Sequence, residues 1–310
     1  MPQYLVTGGA GFIGSHLVAA LLGRGAKVGV LDNFSTGKRQ NLESPVISTG
    51  AGQLRVVEGD IRDPRAVQEA VRGADVVFHE AAFISVPESM EQPAVCLDVN
   101  FMGTCALLEA CRQSGVRRVV LASSAAVYGD SDALPLSEQE RARPLSPYAA
   151  SKLATETFAT LYTQSFGLEV SALRYFNVYG PRQRPDTQYA AAIPIFIERL
   201  RSRMAPTVFG DGTQTRDLIF VGDVVRANLL AAEHPDAAGT VFNVCTGAAT
   251  SILDLLDALY SLLPAAPKPA FEAKRAGDIW ASIGNPSKAE AVLGFRAETS
   301  LVEGLKETLQ

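Results

Sequence analysis

Tyr148 and Lys152 stand four residues apart in Tyr148-Ala149-Ala150-Ser151-Lys152, inside an alanine- and leucine-rich run that reads as a long helix to Phe166. On a helix that separation brings both side chains to one face. An ammonium beside a phenol favours the phenolate and lowers the tyrosine pKa, which gives a general base usable near neutral pH. Ser124 follows the apolar run Val116 to Ala122 and is suited to hydrogen-bond a substrate hydroxyl and pass on its proton. Each signal alone is weak, because a Tyr-x-x-x-Lys pair is often solvated and Ser123-Ser124 after a strand is often a turn. Their meaning depends on the element that could set a redox cofactor beside them.

That element is Thr7-Gly8-Gly9-Ala10-Gly11-Phe12-Ile13-Gly14, between the apolar run Tyr4-Leu5-Val6 and the helical spacing of Ser15 to Leu22. Gly8 permits a tight turn, Gly11 lets backbone approach a pyrophosphate, and Gly14 lets the helix pack on the strand. Phe12 and Ile13 then lie at a helix N-terminus that faces the anion with partial positive charge. The next strand, Lys27 to Leu31, ends in Asp32, at the spacing of a ribose 2′-hydroxyl partner. A carboxylate there repels a 2′-phosphate, so the expected cofactor is NAD and not NADP. Asn33, Ser35, Thr36 and Gly37 continue as a polar loop placed for the adenosine side. The small residues Ala81 and Ala82 follow a fourth strand, Val76 to His79, and let a flat cofactor lie against backbone. His79 within that strand reads as a packed core histidine.

The elements that must position these groups alternate strand and helix up to Tyr175, which predicts a doubly wound, parallel, Rossmann-type α/β sheet. Beyond Pro181 the elements become shorter and less regular. The expected division is a cofactor domain over 1–176 and a smaller, interleaved substrate lobe over 177–310, with elements near 217–240 returning to the first. The chain has 310 residues, 47% hydrophobic and 20% charged, with a formal net charge of −5. This describes an ordinary globular protein and argues against nucleic acid or anionic membrane as its main partner. The chain starts on a strand, and no apolar run is expected to reach membrane-spanning length, so a cytoplasmic location is expected. Cys96, Cys105, Cys111 and Cys245 lack metal-ligand spacing and read as reduced core residues; no metal is expected.

With these residues in place the chain resembles the extended short-chain dehydrogenase/reductase family, and within it the nucleotide-sugar 4-epimerases, along essentially its whole length. The resemblance rests on Gly8/Gly11/Gly14, Asp60-Ile61, His79-Glu80-Ala81-Ala82, Asn100, Ser123-Ser124, Tyr148/Lys152 and Arg174 to Pro181. It implies tightly held NAD lined also by Asp60, Ile61, Asn100, Ser123 and Tyr175. It implies that Tyr148 deprotonates the sugar 4-hydroxyl, that Ser124 relays the proton, and that Lys152 tunes Tyr148 and bonds the nicotinamide ribose. In the second half it implies that Asn177 and Arg216 contact the substrate diphosphate, that Phe209 lies near uracil, and that Arg275 and Asp278 hold phosphate and ribose. Helices around Asn100 and Tyr148 resemble a pair through which the family dimerises, so a homodimer is expected.

Two departures bear on specificity. Related 4,6-dehydratases and uronate decarboxylases place an acid just after the Ser/Thr, where this chain has Ala125 and Ala126, and that favours plain epimerisation. Ser282 falls where strict glucose/galactose enzymes carry a bulky tyrosine, leaving room for a 2-N-acetyl group. Ala191-Ala192-Ile193-Pro194 and Ser85-Val86-Pro87 point the same way. UDP-GlcNAc/UDP-GalNAc interconversion, alongside UDP-Glc/UDP-Gal, is the expected activity. A uronate-sugar epimerase, an NDP-sugar reductase or decarboxylase, and a non-catalytic nucleotide sensor remain alternatives.

Overall fold

The computed structural model describes residues 2–43, 52–184, 192–264, 267–274 and 279–310. In the first half, short β-branched runs form β1 (Gln3–Thr7), β2 (Lys27–Asp32), β3 (Gln53–Glu58), β4 (Val76–His79), β5 (Arg118–Ser124) and β6 (Glu169–Tyr175). Between them lie α1 (Phe12–Gly23), α2 (Pro64–Val71), α3 (Val86–Glu91), α4 (Pro93–Ser114, with a π turn at Asp98–Met102) and α5 (Pro147–Phe166). The second half supplies β7 (Asn177–Tyr179), α6 (Ala192–Arg201), β8 (Thr207–Phe209), β9 (Thr215–Arg216), β10 (Leu218–Phe220) and α7 (Val221–Glu233). It continues with β11 (Val241–Val244), β12 (Thr250–Ser251), α8 (Ile252–Leu262), β13 (Ala270–Glu272), β14 (Ala281–Ser282), α9 (Ser287–Leu293) and α10 (Leu301–Thr308).

Seven strands form one sheet in the order β11-β6-β5-β4-β1-β2-β3, and every pairing in it is parallel. This is the doubly wound sheet that the alternation predicts. A parallel sheet needs cover on both faces. Leu17, Leu21 and Val224 pack α1 and α7 on one face, while Val67, Leu107, Leu108 and Ala159 pack α2, α4 and α5 on the other. Each such fully buried leucine contributes about 1.5–3 kcal/mol. The strand order reverses between β1 and β4, so a crevice opens beyond their carboxyl ends, at Gly8 and at Ala81.

The second half divides its contribution. β11 extends the large sheet beside β6, and α7 packs on α1, whereas β12-β9-β14, β10-β7 and β13-β8 form small sheets around a separate core. That core gathers Phe196, Ile197, Val208, Leu255, Leu259 and Leu305.

Two details differ from the sequence reading. β5 begins two residues later than expected, because Gly115 closes α4 in the left-handed region (φ 72°) and Val116 N–H still bonds Cys111 O at 3.0 Å. Ser123 and Ser124 therefore end the strand itself. By length and composition α4 is also long and apolar enough to cross a membrane, where no such run was expected. The fold accounts for this apolarity: Leu107, Leu108 and Cys111 are buried in the core shared with α2 and α5.

Candidate active site

At the end of β1 the chain turns through Gly8 (φ +68°), whose N–H bonds Leu31 O at 2.8 Å. A Cβ at Gly8 would stand 2.7 Å from Ala81 N, and one at Gly14 only 2.3 Å from Gly8 O. The glycines thus close-pack β1, α1 and the segment after β4. No side chain caps α1 at Gly11, which leaves its N-terminus, with Phe12 and Ile13, for an anion.

Asp32, 6% exposed, accepts Ala10 N–H at 2.9 Å and Phe34 N–H at 2.8 Å. Burial raises its pKa and those two N–H groups oppose the rise. Asn33 accepts from Ser35 N–H and Oγ and donates to Asp60 at 2.8 Å; Asp60 is in turn gripped by Arg62, which holds its carboxyl well below the usual range. Ile61 beside it is buried. Thr36 O accepts from Arg184, and Gly37 lies so close to Ala10 that a Cβ would come within 2.9 Å. Uncapped helix, side-chain-free floor and buried terminal carboxylate together fit a dinucleotide with a free 2′-hydroxyl.

Behind this cradle a polar network fixes the segment from His79 to Ser85. His79 bonds Thr7 Oγ1 at 2.7 Å and Thr104 Oγ1 at 2.8 Å, and burial lowers its pKa to about 3, so it is a neutral core residue. Asn100 takes Phe83 N–H on Oδ1 at 2.7 Å, while its amide nitrogen donates to Phe83 O and to Ser151 Oγ, both at 3.0 Å. It therefore clasps the segment after Ala81 and Ala82 to α5. Ser85 caps α3, and Ser89 within α3 accepts Tyr148 N–H at 3.2 Å.

Ser146, accepting Ala149 N–H at 3.1 Å, and Pro147 start α5, so Tyr148 and Lys152 occupy its first two turns. Lys152 Nζ lies 6.0 Å from the Tyr148 ring centre and donates to Ala122 O at 2.7 Å. The Ser124 side chain is a polar neighbour of the Tyr148 phenol. Ser123 donates to Glu156, which also holds Arg174 at 2.7 Å, and this buried network ties the end of β5 to α5. Burial lowers the Lys152 pKa to about 8.

The phenol behaves differently from the expectation. Burial raises the Tyr148 pKa above its ordinary value, and only the neighbouring Ser124 side chain works against that rise. The ammonium, engaged with the Ala122 carbonyl, does not overcome the desolvation of the buried phenolate. Glu80, named in the sequence only within the His79-Glu80-Ala81-Ala82 resemblance and given no role, accepts Tyr175 O–H at 2.8 Å, and burial raises its pKa to about 7. An acid directly after a buried strand was the available sign.

In the small lobe, β14 pairs with β9 so that Ser282 is the register partner of Arg216, and β10 pairs with β7 so that Leu218 faces Asn177. Phe209 ends β8, and its carbonyl accepts from Gln214 at 2.8 Å. Ala192 opens α6. Arg216 and Ser282 thus lie on paired strands, Asn177 is tied to the residue after Arg216 by its N–H bond to Asp217 O, and Phe209 lies on a separate small sheet of the same lobe. Ala191, Arg275 and Asp278 lie outside the described residues.

The family model "NAD dependent epimerase/dehydratase family" matches residues 4–245. The chain belongs to that family. A UDP-glucose 4-epimerase of Mycolicibacterium smegmatis is 40% identical to this epimerase, covering 99% of this chain and 97% of its own. The crystal structure of the Thermotoga maritima UDP-glucose 4-epimerase with UDP-glucose has TM-score 0.91 at 38% identity, covering 99% of this chain and 97% of that one. The UDP-N-acetylglucosamine 4-epimerase of Methanobrevibacter ruminantium, in complex with UDP-N-acetylmuramic acid, has TM-score 0.92 at 36% identity, covering 98% and 97%. This epimerase is an NAD-dependent isomerase, and its cofactor is NAD, which the cradle fits.

Proposed function

We propose that this epimerase inverts C4 of a UDP-hexose and accepts UDP-GlcNAc/UDP-GalNAc as well as UDP-Glc/UDP-Gal. The observation that carries the reading is the Ser124 side chain beside the Tyr148 phenol, with the Lys152 ammonium a turn away, at the switch point of an NAD fold. NAD, when bound, takes the C4 hydride and returns it. Tyr148 removes the proton of the 4-hydroxyl and gives it back to O4, and Ser124 passes that proton while holding the oxygen. Lys152, only 6% exposed, contributes positive charge that favours the phenolate. Ala125 and Ala126 offer no acid for elimination, so the 4-keto sugar turns and is reduced on its other face. Arg216 and Asn177 are the candidates to hold the diphosphate while the sugar turns, since a guanidinium fork matches phosphate oxygens.

Ser282 beside Arg216 supports the wider sugar range, and the named activity of the M. ruminantium relative is in keeping with it. Purified protein incubated separately with UDP-GlcNAc, UDP-Glc and UDP-GlcA, and read by the anomeric proton NMR signals, tests the reading. Appearance of the C4 epimers of the first two is expected; turnover of UDP-GlcA alone would replace it with a uronate activity. Ser282→Tyr is expected to lower kcat/KM for UDP-GlcNAc by about 100-fold, with UDP-Glc changed only several-fold, because side-chain volume discriminates by about 10–200-fold.

The molecule also acts as a homodimer in this proposal. Met90, Val95, Leu97, Met102, Leu161 and Phe166 on α3, α4 and α5 are exposed large apolar side chains, more than an isolated surface needs. Sedimentation equilibrium is expected to give twice the chain mass of 32.9 kDa, and Met102→Glu with Leu161→Glu to halve it.

A further inference from the structure

Asp217, with no exposed surface, sits between the candidate substrate residues and the large sheet. Its Oδ1 accepts Thr246 N–H at 2.8 Å and Thr246 O–H at 2.7 Å, and its Oδ2 accepts Gly247 N–H at 2.8 Å and Gly284 N–H at 3.2 Å. The backbone of the same residue is equally engaged. Its N–H bonds Ser282 O at 2.8 Å, and its carbonyl takes Asn177 N–H at 3.0 Å and Asn177 Nδ2 at 3.3 Å.

Four chain segments therefore meet on one residue: Asn177 on β7, Arg216 directly before it on β9, Ser282 with Gly284 around β14, and Thr246-Gly247 just after β11. Space at this seam is minimal, since a Cβ on Gly284 would stand 2.6 Å from Cys245 Sγ and 2.7 Å from the Phe176 ring. Three of these segments carry a residue assigned above to the UDP-sugar. The fourth follows a strand of the cofactor sheet. A carboxylate is the group that can accept all four donors at once, two on each oxygen, without offering a proton of its own.

The geometry points to Asp217 as a positioning residue for substrate: its backbone N–H and carbonyl hold Ser282 and Asn177 on either side of Arg216, and its carboxylate anchors that seam to Gly284 and to Thr246-Gly247 at the end of the cofactor sheet. It touches no substrate itself. This rests on the assignment of those residues to a UDP-sugar. Asp217→Asn keeps the shape but turns an amide N–H toward donors, whichever way it is oriented. Losing one or two bonds to a charged acceptor loosens this seam, and UDP affinity is expected to weaken by about tenfold or more. KM for UDP-sugar rises accordingly, with kcat changed less and bound NAD retained.

The experiment is calorimetric titration of the NAD-loaded protein with UDP, with NAD content and Tm measured on the same samples. Leu259→Ala, in the core of the same lobe, is the control for destabilisation alone. Weak UDP binding by Asp217→Asn at full NAD content, with Leu259→Ala binding normally at equal or greater loss of Tm, is expected. Normal binding by Asp217→Asn, or an equal loss in Leu259→Ala, overturns the assignment. Should Asp217→Asn not fold, Thr246→Val removes one of the four donors to the carboxylate, together with the exposed Ala248 N–H bond to the same hydroxyl, and is expected to weaken UDP severalfold; unchanged affinity there overturns the assignment too. A wild-type protein that fails to bind UDP instead removes the UDP-sugar reading on which it rests.

Discussion

Tyr148→Phe is expected to lower kcat by about 10³-fold, near the middle of the range for losing a positioned proton-transfer group, while NAD content and UDP affinity stay unchanged. The phenol oxygen is the single atom removed. The ring stays packed, and the Ser89 bond to the Tyr148 backbone is kept. A rate loss of that size is about 4 kcal/mol of transition-state stabilisation. The pH dependence carries a second signature. Burial holds the phenol above its ordinary pKa of 10.0, so the reactive phenolate becomes more abundant, and the rate rises, as pH increases. Lys152 works in the opposite sense. Its pKa is lowered to about 8, and above that the loss of its charge cancels the gain in phenolate, so the rate levels off and falls only once the phenol itself has titrated. The wild-type profile therefore rises to a plateau before it falls, and the residual activity of Tyr148→Phe lacks the rising limb. Steady-state rates from acid to alkaline pH, with NAD content measured in parallel, check both points. An unchanged kcat would remove Tyr148 from the proton-transfer role.

The uneven legibility of the site has a physical origin. The placement of the glycine loop, Asp32 and the Tyr148/Lys152 pair was readable because each sits at a fixed spacing along one continuous strand–turn–helix or helix. The sheet was readable for the same reason: runs such as Val76 to His79 alternate with helices of the right length. What stayed hidden depends on contacts between distant segments. Asp217 reaches Thr246, Gly247 and Gly284, and Glu80 meets Tyr175 across the sheet; the sequence beside each shows an acid but not the distant partners that define it. β11 was missed because four residues after an irregular loop acquire strand character only from pairing with β6. The phenol pKa was misjudged because spacing reveals the neighbouring ammonium but not the desolvation that outweighs it.

Three glycines of α1 and its entry loop should respond to alanine in three different ways. At Gly14 the new Cβ would stand 2.3 Å from Gly8 O and 2.9 Å from Gly9 Cα, both backbone atoms that cannot rotate away. Relief requires α1 to move off the strand, which opens the cradle, so Gly14→Ala is expected to lose measurable NAD and to destabilise by about 1–3 kcal/mol, the cost of overpacking a tight contact. At Gly11 the Cβ would meet only Gly8 O, at 3.1 Å, a contact that a shift of a few tenths of an ångström relieves. The fold should survive, and the loss should fall on NAD affinity, because the methyl occupies the approach to the uncapped helix end. At Gly23, the last residue of the same helix, nothing lies within 4 Å. Alanine there removes only unfolded-state freedom and is expected to stabilise by about 0.4–1 kcal/mol with NAD untouched. Denaturant unfolding of the cofactor-free variants, together with NAD titration of each, separates the three. Equal behaviour at Gly14 and Gly23 would show that the glycine cradle is not what holds α1 against β1.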